Sequence, residues 1–122
     1  MVNEYKKQME EAKKEGSIWV IKFSEDWCTP CRILDARLKE LQKTKKYKGK
    51  LVISTISSKD AVLLEKYRKY FRDKNERDIN TIPDYLVVVR RNGNFYRTGR
   101  YLGLSDVKSL EKQLDKKLKK DN

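Results

Sequence analysis

The sequence contains no histidine. Without an imidazole, the chain lacks Cys-His and Ser-His catalytic pairs as well as every histidine-containing metal site. Cysteine is scarce too, with 2 residues among 122. Two cysteines cannot form the framework of several disulfides that stabilises small secreted domains, so redox chemistry or metal binding is the better explanation for a close cysteine pair.

Long apolar runs are also absent from the sequence. No stretch approaches the roughly 18 consecutive apolar residues of a membrane span, and residues 1–16 are charged where a secretion signal is apolar. We therefore expect no membrane span and a cytoplasmic location, with a periplasmic or secreted location as the alternative if a signal peptide was trimmed. The length and the 38% hydrophobic content predict a single domain over residues 1–122. We also expect a monomer.

Positive charge dominates the chain, since Lys and Arg total 30 against 18 for Asp and Glu and the formal charge is +12. Such a surface attracts anions without specificity. A basic nucleic-acid-binding module is therefore one alternative, with tyrosines that could stack on bases. Its basic stretches would be residues 43–50, 68–77, 90–91 and 116–120, and its tyrosines Tyr5, Tyr47, Tyr67, Tyr70, Tyr96 and Tyr101. Because these lysines fall on solvent-facing helix surfaces among acidic residues, we expect no specific nucleic-acid binding.

The two cysteines lie close together in Trp27-Cys28-Thr29-Pro30-Cys31, directly after an apolar run. Residues with this spacing on a helix have Cα atoms roughly 5 Å apart, within the range of about 4.4–6.8 Å seen in disulfides. The pair can therefore cycle between dithiol and disulfide. A metal site would need further ligands, and without histidine it must recruit carboxylates or a second chain. We expect no metal.

Hydrophobic periodicity predicts alternating helices and strands in the first half of the chain. In chain order these are a helix over residues 5–15, a strand over 17–24, a helix beginning at Pro30, a strand over 50–56 and a helix capped by Ser57 or Ser58. The helix beginning at Pro30 has an apolar face of Leu34, Leu38 and Leu41. The helix capped by Ser57 or Ser58 has an apolar face of Leu63, Tyr67, Tyr70 and Phe71. The cysteine pair thus lies at a junction between a strand and a helix.

The second half of the chain reads as a hairpin followed by a helix. A polar connection over residues 73–80 leads to a strand over 85–89, and Asn92-Gly93 is a strong signal for a tight turn into a strand over 95–101. After Gly103, Ser105 can cap a closing helix. The apolar face of that helix is formed by Val107, Leu110, Leu114 and Leu118.

This order of elements resembles the thioredoxin fold over nearly the whole chain. Residues 23–31 resemble the strand of that family leading into W-C-x-P-C, and Thr81-Ile82-Pro83 falls where the family has isoleucine followed by a cis-proline. A C-x-x-C pair next to a β-α-β pattern is itself typical of the thioredoxin-like redox motif. The resemblance implies an α/β fold with a central mixed sheet of about four to five strands flanked by helices.

The resemblance also implies a thiol-disulfide oxidoreductase that reduces protein disulfides and is recharged by a reductase not identified by the sequence. Cys28, at the start of a helix, is the expected nucleophile, because unsatisfied backbone N–H groups there lower the pKa of a thiol. Cys31 is the expected resolving residue, one turn deeper and more shielded. No cofactor is expected beyond the redox-active disulfide. An exported thioredoxin-like reductase or isomerase is the alternative.

The remaining site residues follow from the same resemblance. Trp27 is expected to pack as a shield beside the cysteines, with an ordinary half-buried aromatic as the alternative. Thr29 and Pro30 complete the active-site loop, and the Thr29 hydroxyl either hydrogen-bonds Cys28 or simply tolerates the turn. Ile82 would offer its backbone N–H and C=O to an extended substrate. Pro83 is expected to be cis, and an ordinary trans proline opening an edge strand is the alternative.

Lys22 is the sharpest departure from the family pattern, because thioredoxins usually bury an aspartate at the matching strand position. The proton relay that this aspartate provides is therefore in doubt here. If the Lys22 ammonium lies under the active site, it should favour the cysteine thiolates, while burial lowers its own pKa. If the side chain extends to water from a strand edge, it does neither. Ala36 also replaces a kinking proline, and residues 58–80 form a longer and more basic segment.

Overall fold

The computed structural model describes residues 2–14, 16–57, 59–60 and 82–120. Its elements are α1 (Val2–Ala12), β1 (Ile18–Ser24), α2 (Thr29–Lys43), β2 (Leu51–Ser57), β3 (Asp84–Arg91), β4 (Asn94–Leu102) and α3 (Val107–Lys120). The predicted helix containing Leu63, Tyr67, Tyr70 and Phe71 and the connection over residues 73–80 lie outside the described residues.

The four strands of the described ranges form one mixed sheet in the order β2-β1-β3-β4. β1 and β2 are parallel, with Ile18 opposite Leu51. β1 and β3 are antiparallel, as are β3 and β4. The predicted α/β class, with a mixed central sheet flanked by helices, is confirmed. Because β1 and β3 are neighbours and antiparallel, the carboxyl end of β1 lies beside the start of β3 at the same end of the sheet.

All seven residues of β1 are buried, as expected for a central strand covered on both faces. Alternate side chains enter two separate cores because successive residues of a strand point to opposite faces. Ile18 and Val20 pack in a core with the apolar residues of α2 and α3. Trp19, Ile21 and Phe23 pack in the other core, against β2, β3 and Ala12 of α1. The sheet thus holds helices on both sides.

The turn and the closing helix agree with the sequence. Asn92 and Gly93 both have positive φ, at 51° and 81°, as the type I′ hairpin turn requires. The predicted apolar face of the last helix is buried at all its positions, Val107, Leu110, Leu114 and Leu118. These elements were predictable because their signals are local.

The bounds of the first helix differ from the expectation, since α1 runs from Val2 to Ala12 rather than over residues 5–15. The backbone tightens at its end: the Lys13 amide donates to the Glu10 carbonyl at 3.2 Å, a bond spanning three residues rather than four. Gly16 then turns the chain with φ of 80°. Residues with high helix propensity continue after Ala12, but the helix ends there because the chain turns toward β1.

Candidate active site

The junction between β1 and α2 places the cysteine pair at a helix N-terminus. Cys28 is the N-cap residue of α2, with extended backbone angles, and its Sγ accepts a hydrogen bond from the Cys31 amide at 3.2 Å. Pro30 follows in the first turn, where a missing N–H costs nothing. The sulfur therefore takes the place of the side-chain oxygen that commonly caps a helix.

Cys28 and Cys31 are joined in a disulfide, with Cα atoms 5.2 Å apart. The predicted pairing is therefore present. The predicted difference in shielding is not, because the two residues are 4% and 3% exposed. What distinguishes the two cysteines in the oxidised pair is position: Cys28 Sγ accepts a hydrogen bond from the helix amide, whereas Cys31 lines a pocket that opens to the surface.

The prediction that Trp27 packs as a shield is wrong, since this residue is 70% exposed. The Cys28 amide donates to the Glu25 carbonyl at 3.1 Å, so Asp26 and Trp27 are the central residues of a tight turn and point outward. Arg32 steadies this turn by donating from Nε to the Asp26 carbonyl at 3.0 Å. Trp27 thus presents an apolar surface beside the disulfide.

The remaining loop residues lie around the disulfide as the sequence placed them. Thr29 and Pro30 are exposed. The hydrogen bond to the Cys28 sulfur is donated by the backbone amide of Cys31. The Ile82–Pro83 peptide bond is cis. The Ile82 carbonyl oxygen lies 4.0 Å from Cys28 Sγ, so the start of β3 adjoins the nucleophile candidate.

Two hydrogen bonds hold the segment before β3 in place. The Pro83 carbonyl accepts from the Gly103 amide at 2.8 Å, and the Gly103 carbonyl accepts from the Tyr85 hydroxyl at 2.7 Å. Asp84 adds an ion pair with Arg100, whose Nε lies 2.9 Å from Oδ1 and whose second nitrogen contacts Oδ2. Neither member of this ion pair was singled out from the sequence.

Lys22 is buried, at 1% exposure, so the interpretation in which its side chain extends to water is wrong. Its ammonium forms an ion pair and hydrogen bond with Oδ1 of Asp35 on α2. The second oxygen of Asp35 lies 3.4 Å from the ammonium of Lys39. Sequence reasoning missed Asp35, although it lies four positions after Cys31 and so shares its helix face.

Burial and charge act in opposite directions on this pair. Burial lowers the pKa of Lys22, while the hydrogen bond and the charge of Asp35 oppose that shift. Burial alone would raise the pKa of Asp35, but the hydrogen bond and charge of Lys22, together with Lys39, lower it below its usual value. The pair is therefore ionised because each member supports the charge of the other.

A cavity of about 250 Å³ connects the pair to the disulfide, because Cys31, Lys22 and Asp35 all contribute to its wall. A second cavity of about 340 Å³ lies between α1 and α2 and shares Asp35 and Thr55 with the first. Both volumes are large enough to admit water. Cys31 and the Lys22–Asp35 ion pair thus line the same pocket.

Two further observations concern the described part of the chain. Among the residues in these ranges, no helix is long and apolar enough to cross a membrane. Within the same ranges, no cluster of three or more Cys, Asp or Glu side chains is arranged to hold a metal ion.

Comparison with known proteins gives one family. The family model described as Thioredoxin matches residues 1–116. Thioredoxin H4-2 of Oryza sativa subsp. japonica is 42% identical over 41 residues, which are 34% of this chain and 31% of that protein. The matched segment thus spans about a third of the length of this curated relative.

Solved thioredoxin structures have the same fold. The germline-specific thioredoxin Deadhead of Drosophila melanogaster is 25% identical, with a TM-score of 0.65 over 95% of this chain and 93% of that one. Trichomonas vaginalis thioredoxin is 15% identical, also with a TM-score of 0.65, over 92% and 89% of the two chains.

Proposed function

The chain belongs to the thioredoxin family and carries the C-x-x-C pair of a thiol-disulfide oxidoreductase, and on this premise we propose that it reduces disulfides in other proteins. In this proposal Cys28 is the nucleophile and Cys31 the resolving residue. The observation that carries it is the disulfide at the N-terminus of α2, where one sulfur accepts the Cys31 amide and lies 4.0 Å from the Ile82 carbonyl.

The first chemical step uses the helix N-terminus. When the pair is reduced, the amide of Cys31 and the positive end of α2 favour a thiolate on Cys28 over the protonated thiol. That thiolate attacks one sulfur of a substrate disulfide, and the other substrate sulfur leaves as a thiolate. The product is a mixed disulfide between Cys28 and the substrate.

The second step releases the substrate. The Cys31 thiolate attacks Cys28 Sγ, the bond between Cys28 and the substrate breaks, and the substrate sulfur leaves with the electron pair. Two electrons have then passed from the dithiol to the substrate, and the Cys28–Cys31 disulfide is restored. A reductase must return two electrons before the next cycle.

Substrate recognition is assigned to the backbone beside the disulfide. Ile82 adjoins Cys28, and an extended substrate segment can pair with its backbone N–H and C=O like an added strand. The indole of Trp27, next to Cys28 in the chain, is 70% exposed and adds an apolar contact for a substrate protein to this proposal. Thr29 and Pro30 form the loop between these two contacts.

The cellular setting belongs to the same proposal. A protein that donates electrons to disulfides works where a reductase keeps its dithiol reduced, and we therefore place it in the cytoplasm. We also propose that it acts as a monomer. Specific nucleic-acid binding is not part of this proposal: of the tyrosines considered for base stacking, Tyr47 and Tyr101 are buried at 3% and 9% exposure, whereas Tyr96 is 48% exposed. The extent of the single domain, residues 1–122, stays a prediction.

Trapping of the mixed disulfide tests the proposed roles. Incubated with a disulfide-bonded protein such as insulin, the reduced Cys31→Ser variant should accumulate a stable mixed disulfide through Cys28, because no resolving thiol remains. Mass spectrometry under non-reducing conditions detects it. The matched Cys28→Ser variant should trap little, and equal trapping by the two variants would contradict the assignment of nucleophile and resolving residue.

A further inference from the structure

Release of the substrate requires that a buried thiol lose its proton. Cys31 must become a thiolate before it can attack Cys28, because the thiolate is the nucleophile. The residue is 3% exposed, and burial disfavours the charged form of a thiol. A positive charge held close to Cys31 would offset this cost.

Two cations line the cavity that contains Cys31, namely Lys22 and Arg32. Arg32 is exposed and donates from Nε to the Asp26 carbonyl at the surface turn. Lys22 is 1% exposed, so bulk water and salt screen its charge less than that of the exposed Arg32. Lys22 is thus the cation placed to act on Cys31 from inside.

The charge on Lys22 depends on Asp35. A buried ammonium without a partner releases its proton readily, and burial lowers the pKa of Lys22. The hydrogen bond and the charge of Asp35 act against that shift. Without the carboxylate, the pKa of Lys22 would fall further, so its side chain would already be a neutral amine at a pH where Asp35 now keeps it charged. A neutral amine would have no effect on the thiol.

We propose that Asp35 is a positioning residue for the resolving step: its carboxylate holds Lys22 protonated at the cavity that Cys31 lines, and the ammonium stabilises the Cys31 thiolate. The inference rests on the proposed role of Cys31 as resolving residue. As Cys31 gives up its proton to solvent, its sulfur attacks Cys28, the bond from Cys28 to the substrate breaks, and the departing substrate thiolate is protonated by water. Asp35 acts on this step through Lys22 and does not touch the reacting sulfurs.

Other charged groups face the same region and must be separated from this effect. They are Glu25, Asp26 and Arg32 at the cavity, Lys39 on α2, and Lys7 and Glu11 of α1 at the adjoining cavity. Asp35 is itself a negative charge, which by direct repulsion would hinder a thiolate on Cys31. The direct and the indirect effect of Asp35 therefore have opposite signs, and an experiment can tell them apart.

The test follows the reaction of the reduced full-length chain with one equivalent of DTNB, an aromatic disulfide whose released thiolate is coloured. Attack by Cys28 releases the first coloured thiolate, and attack by Cys31 on the mixed disulfide releases the second. Stopped-flow measurement over a range of pH gives both rates. Asp35→Asn should slow the second phase about tenfold near pH 7, the effect of raising the pKa of Cys31 by about one unit, and leave the first phase unchanged.

Matched variants separate the ion pair from general loss of charge. Lys39→Met removes the exposed cation beside Asp35 and should leave the second phase unchanged, whereas Lys22→Met should slow it as Asp35→Asn does. The double variant Lys22→Met with Asp35→Asn should be no slower than either single one, because both changes remove the same ammonium. Asp35→Glu should restore most of the rate.

If Asp35→Asn fails to fold, a second variant tests the same point. Lys22→Met combined with Asp35→Leu replaces the ion pair by apolar side chains and should show the same slow phase.

The outcomes separate this inference from the proposed function. An unchanged second phase in Asp35→Asn would overturn the positioning role, and a faster one would show that the carboxylate acts on Cys31 directly. A wild-type chain that releases a single coloured thiolate, or a Cys31→Ser variant that releases both, would instead contradict the assignment of Cys31 as resolving residue.

Discussion

Two partly buried ion pairs lie next to the redox site, and they are built differently. Arg100 donates through two nitrogens to both carboxylate oxygens of Asp84, whose side chain is 1% exposed. Lys22 offers one ammonium to Asp35, whose side chain is 33% exposed and whose second oxygen faces Lys39 at 3.4 Å. The first pair joins β3 to β4 within the sheet, and the second joins β1 to α2 at the edge of a cavity.

The difference in construction indicates a difference in role. A guanidinium binds a carboxylate through a planar fork that fixes orientation as well as distance. An ammonium is a compact charge on a flexible stem, and its pKa responds readily to burial. We therefore expect the Asp84–Arg100 pair to serve stability and the Lys22–Asp35 pair to serve the electrostatics of Cys31.

Breaking the first pair should have the largest effect on stability. Arg100→Met leaves the Asp84 carboxylate buried without its guanidinium, and the free energy of unfolding should fall by about 3 kcal/mol. Urea unfolding measures this. In the folded protein, the second phase of the DTNB reaction should stay at the wild-type rate.

A surface pair provides the control for that variant. Arg37 contacts Glu111 with a side chain that is 52% exposed, so Arg37→Met should change the stability only slightly. Equal losses in the Arg37 and Arg100 variants would remove the distinction between a buried bidentate pair and an ordinary surface pair.

Breaking the second pair should change stability less and chemistry more. In Lys22→Met, Asp35 keeps partial exposure and its contact with Lys39, while an apolar side chain fills the buried position, so stability should stay within about 1 kcal/mol of wild type. The resolving step should nevertheless slow. A loss of stability as large as that of Arg100→Met would show that both pairs are structural.

The smallest expected effect is a dependence of stability on pH below 4. The pKa of Asp35 lies below its usual value of 3.8 in the folded protein, so the unfolded chain binds a proton at this carboxyl first as the pH falls. The stability that the carboxylate contributes is present above that value and is lost as the pH falls through the folded pKa. The difference in unfolding free energy between wild type and Asp35→Asn should therefore be constant near neutral pH and shrink below about pH 4. A difference that grows on acidification would contradict the ionised pair.

Local signals explain which parts of the fold were predictable. The apolar run of β1, the turn at Asn92 and Gly93, and the stripe of α3 each follow from neighbouring residues alone. The end of α1 does not, because the helix formers continue past Ala12 while the chain must turn toward β1 at Gly16.

In the candidate site, too, some features follow from neighbouring residues and others depend on how the chain packs. The pairing of Cys28 with Cys31 follows from their spacing, and its place at a helix start follows from Pro30 and the apolar periodicity after it. The exposure of Trp27 depends on a hydrogen bond within the preceding turn, and the partner of Lys22 depends on how α2 packs over β1. A buried lysine on a central strand signals that a carboxylate must exist nearby, but only the packing identifies Asp35.

The reduction potential of the Cys28–Cys31 pair tests most directly whether this protein is a disulfide reductant. The wild-type chain is equilibrated with glutathione buffers of defined ratio, and the reduced fraction is measured by alkylation and mass spectrometry. We expect a potential of about −270 mV, typical of thioredoxins, at which the dithiol donates electrons to protein disulfides. A potential near −120 mV would mark an oxidant and contradict the proposed direction of electron transfer.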